Sequence, residues 1–351
     1  MLKEDQKSFI RDNVIRLALA PGIAAINSNV WWSGRVTGNW NCVCNAGLTV
    51  AALAILGDDT TGTAQRVLGL TIDNAKQGCA QAPTDDGSWA ETPNYWYFGT
   101  TGHAELVSAL LTATGSDHGI LDANPNFSKT GDYHMAVFGP GSLFSYGDHG
   151  PNKFSTTANS MFLYASVFEK PTFALFQRDQ FDAAEPWSMF WYDPSYSGAF
   201  WDGLPLDNFF NNALDQWAAF RSSWTDINAL YVAIKAGRNA GLQTHNDLDV
   251  GTFVLDALGT RWAGELGSAD YRSPGYFNSG DQDALRWQYY RTMTQGQNTL
   301  LINRQNQLVT AQPTVRGESS GTTQGSSTVL TIPDDSTAYW TTDMTSAYSG
   351  A

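Results

Sequence analysis

Up to about Arg221, apolar residues recur at helical spacing. The pattern is clearest in LTVAALAILG, AQRVLGLTIDNAKQ, HAELVSALLTATG, ANSMFLYASVF and PLDNFFNNALDQWAAF, with glycine or proline at the joins. Aromatic stretches that look like long loops separate these segments. Helices joined in this way are expected to pair around an axis and to present their loops at one end. Residues 1–222 are therefore predicted to form a partial (α/α) toroid of helical hairpins.

From about Trp224, the apolar period changes to two. ALYVAIKAG, GTFVLDALGTRWAGEL, NTLLIN and STVLTI are strand-like, and LGT inside the second segment marks a hairpin turn. This pattern predicts an antiparallel β-sandwich over residues 223–351 and an α+β multidomain chain. No flexible linker separates the two parts, so we expect them to pack together. The chain stops at STAYWTTDMTSAYSGA, where a strand has just begun, and both domains are expected to be incomplete.

Composition and charge narrow the function classes. The 351 residues are 42% hydrophobic and 13% aromatic, which is enough for a large core. The net charge is -14, and the 20 Lys and Arg residues form no basic cluster, which argues against a nucleic-acid partner. An acidic polymer stays open as a partner, because a few local arginines and amides decide recognition.

The sequence contains no apolar run of the roughly 18 residues that a membrane span needs, so no membrane partner is expected. Its first residues, MLKEDQKSFIRDN, lack the apolar core of a secretory signal. The chain is then either intracellular or trimmed, and the abrupt end favours trimming. We expect a secreted or periplasmic protein and leave a cytoplasmic location and the oligomeric state open.

Tryptophan and tyrosine are abundant, with 13 and 14 copies, and many lie in NVWWSG, GNWN, NYWYFG and FWYDPSYSG. In loops such rings often stack on sugars, and the alternative is that they fill the core. The three cysteines, Cys42, Cys44 and Cys79, form no CxxC pair, and an odd number gives no disulfide framework. They are predicted to be small buried apolar residues.

Four motifs occur in a characteristic order: TGNWNCVCNAG (37–47), DGSWAETPNYWYFGTTGH (86–103), GPGSLFSYGDHG (139–150) and THNDLDVGTF (244–253). Together they resemble the heparinase II/III type of polysaccharide lyase, over a stretch that runs from Trp40 to the LDALGTRWAGELGSADY hairpin. The resemblance implies an α/α toroid followed by antiparallel sheets. It also implies cleavage of a uronic-acid-containing polysaccharide by β-elimination, with an acidic polysaccharide or oligosaccharide as substrate.

That reaction has three demands: the uronate carboxylate must be neutralised, a base must remove the adjacent proton, and an acid must protonate the leaving oxygen. By resemblance, Asn41 or its neighbour Asn39 neutralises the carboxylate, since an amide donates where an aspartate would repel. Tyr95 corresponds to the acid, and the base role is open to it as well. His245 corresponds to the base or its electrostatic partner, because imidazole titrates near pH ~6.5.

Further residues are candidates for substrate binding. Arg35 and Arg291 could each hold a uronate through two hydrogen bonds, and a surface arginine without a specific role is the alternative. Trp40, Trp96 and Tyr97 are candidate sugar platforms beside the catalytic motifs.

The loop that carries His245 is expected to face the toroid and to deliver the imidazole into a solvated cleft. Asp247 and Asp249 would organise it from below, and Gly251 would let the following strand approach neighbouring backbone. Asp148, in the GDHG turn, is expected to be structural.

A structural divalent cation, calcium or zinc, is a further expectation, and the chemistry needs no cofactor. In zinc-bearing relatives of this type, a second histidine in the loop, a hairpin acid and a later histidine hold the metal. The corresponding residues here are Asp247, Glu265 and Gln297. Oxygen ligands replace nitrogen ligands, which favours a harder ion such as calcium, or hydrogen bonds with no ion.

Two rival functions stay open. A glycoside hydrolase on a similar toroid would need two carboxylates, for which Asp85, Asp86 and Glu91 are available. A non-catalytic carbohydrate-binding fragment would keep aromatic platforms without catalytic geometry. The sequence leaves the uronide polymer and the choice between endo and exo action open.

Overall fold

The computed structural model describes residues 2–34, 38–89, 91–148, 157–212, 214–239, 245–268, 270–319, 323–324, 330–331 and 338–350. Within these ranges the chain is helical up to Trp191, and antiparallel β-structure follows from Asp207. The fold is thus a mixture of helix and antiparallel sheet, as the sequence predicts.

The helical part begins with α1 and α2, which a π-helical turn joins end to end. The long helix α5 lies at the centre of the helical part and packs closely against α3. The helices are α1 (Glu4–Val14), α2 (Ala20–Asn27), α3 (Asn39–Ile55), α4 (Thr63–Gln77), α5 (Pro93–Thr114), α6 (Thr130–Val137), α7 (Ser160–Val167), α8 (Pro171–Arg178) and α9 (Ser188–Trp191). Four of the five helical segments expected from the sequence lie in α3, α4, α5 and α7, which confirms those predictions.

The aromatic segments GNWN and NYWYFG, predicted to be loops, lie in α3 and α5 instead. Helix α5 begins with Pro93, whose fixed φ suits a first helical position, and ends at Gly115 with φ +75°. Trp96 is fully buried one turn inside it. Burial of such large rings stabilises the helix more than their modest helix propensity disfavours it.

A five-stranded antiparallel sheet follows the helices, with its strands in chain order: β1 (Asp207–Asn211), β2 (Gln216–Arg221), β3 (Tyr231–Lys235), β4 (Phe253–Ala257) and β5 (Thr260–Ala263). Two residues, Leu258 and Gly259, connect β4 to β5, and both have positive φ, at 54° and 72°. Two-residue hairpin loops favour that conformation, so the LGT turn is confirmed.

Two segment predictions were wrong. PLDNFFNNALDQWAAF, expected to be helical, contains β1 and β2, in which Phe210 pairs with Trp217 and the two rings stack 4.4 Å apart. This cross-strand packing between residues of different strands overrides the local helical spacing. NTLLIN, expected to be a strand, forms none, and its leucines and isoleucine are partly exposed.

Strand β2 is paired with β3 in register, for example Ala219 with Ala233. The expected boundary between residues 222 and 223 therefore lies between two paired strands, and the division into two domains stays a prediction. The remaining strands form two small antiparallel pairs: β6 (Thr314–Ser319) with β9 (Tyr339–Asp343), and β7 (Thr323–Gln324) with β8 (Leu330–Thr331). The short helix α10 (Thr345–Tyr348) follows.

Cys42 and Cys79 are fully buried, as predicted, but the expectation that the cysteines form no disulfide was wrong. Cys42 and Cys79 form a disulfide that joins α3 to the turn after α4, whereas Cys44 is a free, half-buried thiol. Sequence spacing could not reveal the bond, because packing of α4 on α3 is what brings the two backbones to a Cα distance of 4.7 Å. Within the described ranges, no helix has the length and apolarity needed to cross a membrane.

Candidate functional site

The first turn of α5 and the loop before β4 meet at Tyr95 and His245. Their rings are stacked, with centroids 3.6 Å apart and planes inclined by 10°. Both residues are almost completely buried, which corrects the expectation that His245 lies in a solvated cleft. The structure therefore brings together two of the three residues predicted to be catalytic.

Asp148 fixes His245 from the other side. The His245 Nδ1 atom lies 2.9 Å from Asp148 Oδ2, and the Asp148 backbone N–H donates to the His245 carbonyl over 2.7 Å. Because an ionised carboxylate only accepts, Nδ1 carries the proton and Nε2 is left as the basic nitrogen. The preceding Gly147 has φ +73°, and a Cβ there would lie 2.5 Å from the His245 carbonyl oxygen, so glycine is required for this contact.

The same carboxylate has two further partners. The Tyr276 hydroxyl donates to Asp148 Oδ1, and Arg286 Nη2 lies 3.2 Å from that oxygen. The guanidinium carbon of Arg286 lies 4.4 Å from the centroid of the Tyr276 ring, and Nη2 also donates to the Asn246 carbonyl. Asp148 is thus a buried charge held by three side-chain donors, as a buried ion must be.

The Tyr95 hydroxyl makes a hydrogen bond with the Tyr271 hydroxyl. Burial raises the pKa of both phenols above their ordinary value, and the nearby Asp148 carboxylate raises both further. At neutral pH both groups are therefore protonated. A protonated phenol suits the acid role predicted for Tyr95.

Asn39, at the start of α3, lies beside this cluster and is held by Glu91. The Glu91 carboxylate accepts from the Asn39 backbone N–H (2.7 Å) and from its side-chain amide (2.9 Å). Burial raises the pKa of Glu91, and the neighbouring His245 lowers it, so the carboxylate is within electrostatic reach of the imidazole.

Asn41 makes its contacts elsewhere. Its Nδ2 donates to the Trp32 carbonyl and to Asn74 Oδ1, and its Oδ1 accepts from Asn45 Nδ2 and the Cys79 backbone N–H. The bonds to Asn74 and Cys79 join α3 to α4 and to the disulfide turn, the bond to Trp32 joins α3 to the segment before it, and the bond from Asn45 lies within α3. Of the two asparagines proposed from the sequence, Asn39 is the one hydrogen-bonded to an acid beside His245.

The predicted sugar platforms lie in different environments. Trp40 is 48% exposed and meets the exposed Trp31 edge to face, with ring centroids 5.6 Å apart. Trp96 is buried and stacks on His134, so its ring packs in the core. Tyr97, also nearly buried, lines a cavity.

The two arginines complete the predicted binding set. Arg291 Nη1 donates to the Leu266 and Ser268 carbonyls over 2.9 and 3.2 Å, which ties down the segment after β5. Arg35 lies outside the described residues.

Of the three residues predicted to hold a cation, Asp247 is buried, whereas Glu265 and Gln297 are partly buried. Gln297 Nε2 donates to Asp247 Oδ2 over 3.2 Å, and the Thr252 hydroxyl donates to Glu265 Oε1 over 2.8 Å. Burial raises the pKa of Asp247 strongly and that of Glu265 to about 8. Across the described part of the chain, no three His, Cys, Asp or Glu side chains converge as a metal site requires. Asp249, expected to organise the loop, instead forms a buried ion pair with Lys235 at 2.6 Å.

A cavity of about 790 Å³ lies between the helices and the five-stranded sheet. Asn94 and Tyr97 line it from α5, and aromatic residues and arginines line it from the other side, among them Trp201, Trp224 and Arg261. It adjoins the first turn of α5, which also carries Tyr95.

Four residues of the cluster were not assigned a site role from the sequence: Asp148, Tyr271, Tyr276 and Arg286. Asp148 lies inside a recognised motif but was assigned only a structural role. The other three lie after β5, in a segment where no local spacing singles them out. Only the fold brings that segment back to α5.

The fold of this chain is similar to the folds of solved heparinase III and heparan sulfate lyase structures. A crystal structure of heparinase III matches with a TM-score of 0.57 at 16% identity, covering 81% of this chain. A heparinase III structure with methylated lysines matches with a TM-score of 0.56 at 16% identity, covering 86% of this chain. A mutant of the heparan sulfate lyase HepC from Pedobacter heparinus matches with a TM-score of 0.53 at 16% identity, covering 95% of this chain.

The chain spans 42% of the length of the two heparinase III chains and 54% of the HepC chain. No family model matches the sequence, and no curated protein matches it. The likeness therefore establishes the fold, and the chemistry has to be argued from the site.

Proposed function

We propose that this protein is a polysaccharide lyase that cleaves a uronic-acid-containing polysaccharide by β-elimination. The observation that carries the proposal is the stack of Tyr95 on His245, with Asp148 on the far nitrogen of the imidazole. This arrangement supplies an acid and a base in contact, each held by a partner. The fold likeness to heparinase III supports the same class of reaction.

In the proposed reaction, His245 Nε2 takes the proton from the carbon beside the uronate carboxylate. The electron pair forms a carbon–carbon double bond as the glycosidic C–O bond breaks. Tyr95 gives its phenolic proton to the departing oxygen, and its raised pKa keeps that proton in place until it is needed. Asp148 orients the imidazole and stabilises its protonated form, as buried acids commonly do for catalytic histidines.

The substrate carboxylate also needs a donor, because the carbanion-like transition state places charge on it. Asn39 fits this role better than Asn41, whose amide is occupied by hydrogen bonds among the helices. The exposed Trp40 next to Asn39 would stack on a neighbouring sugar ring.

We further propose that the helices belong to an (α/α) toroid and that the β-structure belongs to a sandwich, with the division near residue 222. A secreted or periplasmic location is part of the same proposal. The Cys42–Cys79 disulfide supports it, since such bonds persist in oxidising compartments.

A divalent cation at Asp247, Glu265 and Gln297 stays a proposal. If these oxygens hold a hard cation, chelation lowers the melting temperature and calcium restores it better than zinc. Elemental analysis that finds no metal, with an unchanged melting curve, would leave them as a hydrogen-bonded cluster.

The proposed elimination is tested with a panel of alginate, hyaluronan, heparin-like and glucuronan polymers. A lyase generates an unsaturated uronide that absorbs in the ultraviolet, whereas a hydrolase generates only reducing ends. We expect absorbance with at least one polymer and none with His245→Ala. Reducing ends without absorbance would support the hydrolase, and binding without any turnover would support a carbohydrate-binding module.

A further inference from the structure

Glu91 is a buried carboxylate that the proposed chemistry does not use. Both of its oxygens are occupied: Oε2 accepts from the Asn39 backbone N–H and from Trp89 Nε1 (2.7 and 3.1 Å), and Oε1 accepts from the Asn39 side-chain amide (2.9 Å). Two of the three donors belong to one residue. The carboxylate therefore fixes both the backbone and the side chain of Asn39.

The start of α3 explains why an acid from another segment is needed here. Asn39 is the first residue of the helix, and the N-cap position is Gly38, which has no side chain that could accept from a free N–H. Glu91 supplies that acceptor, and its negative charge is favourable at the positive end of the helix. This explains the backbone contact, but the bond to the side-chain amide does not serve capping.

Glu91 also lies within electrostatic reach of the proposed catalytic pair. Burial is the main cause that raises the pKa of both Tyr95 and Glu91. In addition, the charge of Glu91 raises the pKa of Tyr95, and the neighbouring His245 lowers the pKa of Glu91. The geometry agrees, because a Cβ on Gly147 would lie 2.5 Å from the His245 carbonyl oxygen and 2.6 Å from Thr92 Cγ2, so the segment that carries Glu91 lies against the His245 backbone. From that segment Glu91 holds the Asn39 amide. An amide has two N–H bonds, and Glu91 uses one of them.

We propose that Glu91 is a positioning residue that holds the Asn39 carboxamide so that its second N–H meets the uronate carboxylate of the substrate. The inference rests on the proposed elimination. Its physical basis is preorganisation: a donor that is already fixed in place stabilises developing charge without being reordered during the reaction. The tight Asn39–Glu91 contact is then a part of the site, and Glu91 acts only through Asn39.

A double-mutant cycle tests this, with kcat/KM of Asn39→Ala, Glu91→Gln and the double variant measured by product absorbance. We expect each single change to lower kcat/KM by about 10- to 100-fold, since one fixed donor is lost or released. The double variant should be within about 2-fold of Asn39→Ala, because Glu91 has nothing left to position. Losses that multiply, or near-normal kcat/KM for Glu91→Gln, would overturn the proposal.

Glu91 also stabilises α3, so loss of folding has to be separated from loss of positioning. All rates are therefore measured below the melting transition of each variant. Asp215→Asn is the matched control, because this acid is also buried but its Oδ2 accepts from Tyr146 instead of from Asn39. Its kcat/KM should equal that of the unmodified protein.

An exchanged pair, Asn39→Asp with Glu91→Gln, covers the case in which Glu91→Gln alone is too unstable to assay. It restores a hydrogen bond with donor and acceptor reversed. We expect the melting temperature to recover relative to Glu91→Gln while elimination stays lost, because the carboxylate introduced by Asn39→Asp would repel the substrate carboxylate. Recovered elimination would show that the amide is not needed and would overturn the proposal.

Failure of the proposed function is visible separately. If the unmodified protein eliminates none of the acidic polymers, the lyase proposal fails and the cycle is measured instead on the affinity for an acidic oligosaccharide. Coupled losses in affinity would keep Glu91 as the residue that positions Asn39. Independent losses there would overturn that inference as well.

Discussion

Two consecutive residues of α5, Tyr95 and Trp96, each stack on a histidine, and only one of the two stacks resembles an active site. Tyr95 lies 3.6 Å from His245 with planes inclined by 10°, and Trp96 lies 4.1 Å from His134 with planes inclined by 6°. Ring geometry alone does not separate them. The helix points successive side chains in directions about 100° apart, so the two stacks lie in different surroundings.

The surroundings of the two imidazoles differ in polar partners. Among the described residues, Nε2 of His134 is buried without a hydrogen bond, and burial lowers the pKa of this histidine to about 3, so it stays neutral. His245 instead meets the Asp148 carboxylate, and its Tyr95 partner reaches the hydroxyl of Tyr271. A stacked histidine therefore indicates a functional site when an acid contacts its imidazole and a second protic group contacts its ring partner.

Removing the two imidazoles gives the largest expected contrast. His245→Ala should lower turnover by roughly 10³-fold or more, because the base is lost. The substitution should also lower the free energy of unfolding by about 1–3 kcal/mol, since the buried Asp148 loses one hydrogen-bond donor. His134→Phe should keep turnover per folded molecule and change only the melting temperature. Turnover is measured for both variants and normalised to the fraction of folded protein. An equal loss of turnover in both would show that the Tyr95–His245 and Trp96–His134 stacks do not differ in function.

The tyrosine hydroxyls give the next contrast. Tyr95→Phe should lower kcat by roughly 10²-fold with little change in substrate affinity, because only the proton donor is lost. The control is Tyr164→Phe, whose hydroxyl donates to the Thr100 carbonyl inside the core. That variant should lose stability by about 1 kcal/mol and keep its kcat. Normal kcat in Tyr95→Phe would exclude this phenol from the mechanism.

Much of the architecture was predictable from the sequence because the information is local. Helical spacing identified α3, α4, α5 and α7, and the LGT turn identified the β4–β5 hairpin. The order of four motifs was enough to select Tyr95 and His245 as partners, which the structure places in contact.

The remaining features depend on contacts between distant segments. The pairing of Phe210 with Trp217 turned a helical pattern into strands, and the packing of α3 on α4 brought Cys42 to Cys79. The ion pair of Asp148 with Arg286 has the same origin. No spacing rule within one segment contains this information, because each pair of partners lies in different elements that only the tertiary fold brings together.

A third contrast concerns exposed tryptophans. Trp40→Ala should raise KM by about 5-fold and leave kcat nearly unchanged, because a stacking surface contributes about 1 kcal/mol to binding and does not take part in proton transfer. Trp262 is the matched control, since it is 65% exposed on β5. Trp262→Ala should leave both constants unchanged. Equal KM values for the two variants would show that exposure at Trp40 is unrelated to substrate.

The last contrast concerns the two buried acids Asp148 and Asp215, and its clearest effect is on stability. In the part of the chain that the structure describes, three side chains donate to Asp148, whereas Asp215 has an oxygen without a hydrogen-bond partner. Burial raises the pKa of Asp215 from the ordinary 3.8 to about 7. A carboxyl with a raised pKa keeps its proton in the folded protein between about pH 4 and 7, while the unfolded chain loses it. Stability contributed by this group is therefore present below pH 4, falls as the pH rises to 7, and stays constant above.

Asp215→Asn removes this dependence without changing the size of the side chain. Relative to the unmodified protein, the variant's gain in unfolding free energy should be near zero at about pH 4, grow to about 2–4 kcal/mol by about pH 7 and stay constant above that, with kcat unchanged. Urea unfolding at several pH values measures the gain. Asp148→Asn should behave in the opposite way at pH 8, losing both stability and turnover, because it removes a charge that Arg286 and His245 need. If both substitutions shift stability by the same constant amount at every pH, the two acids do not differ as the structure indicates.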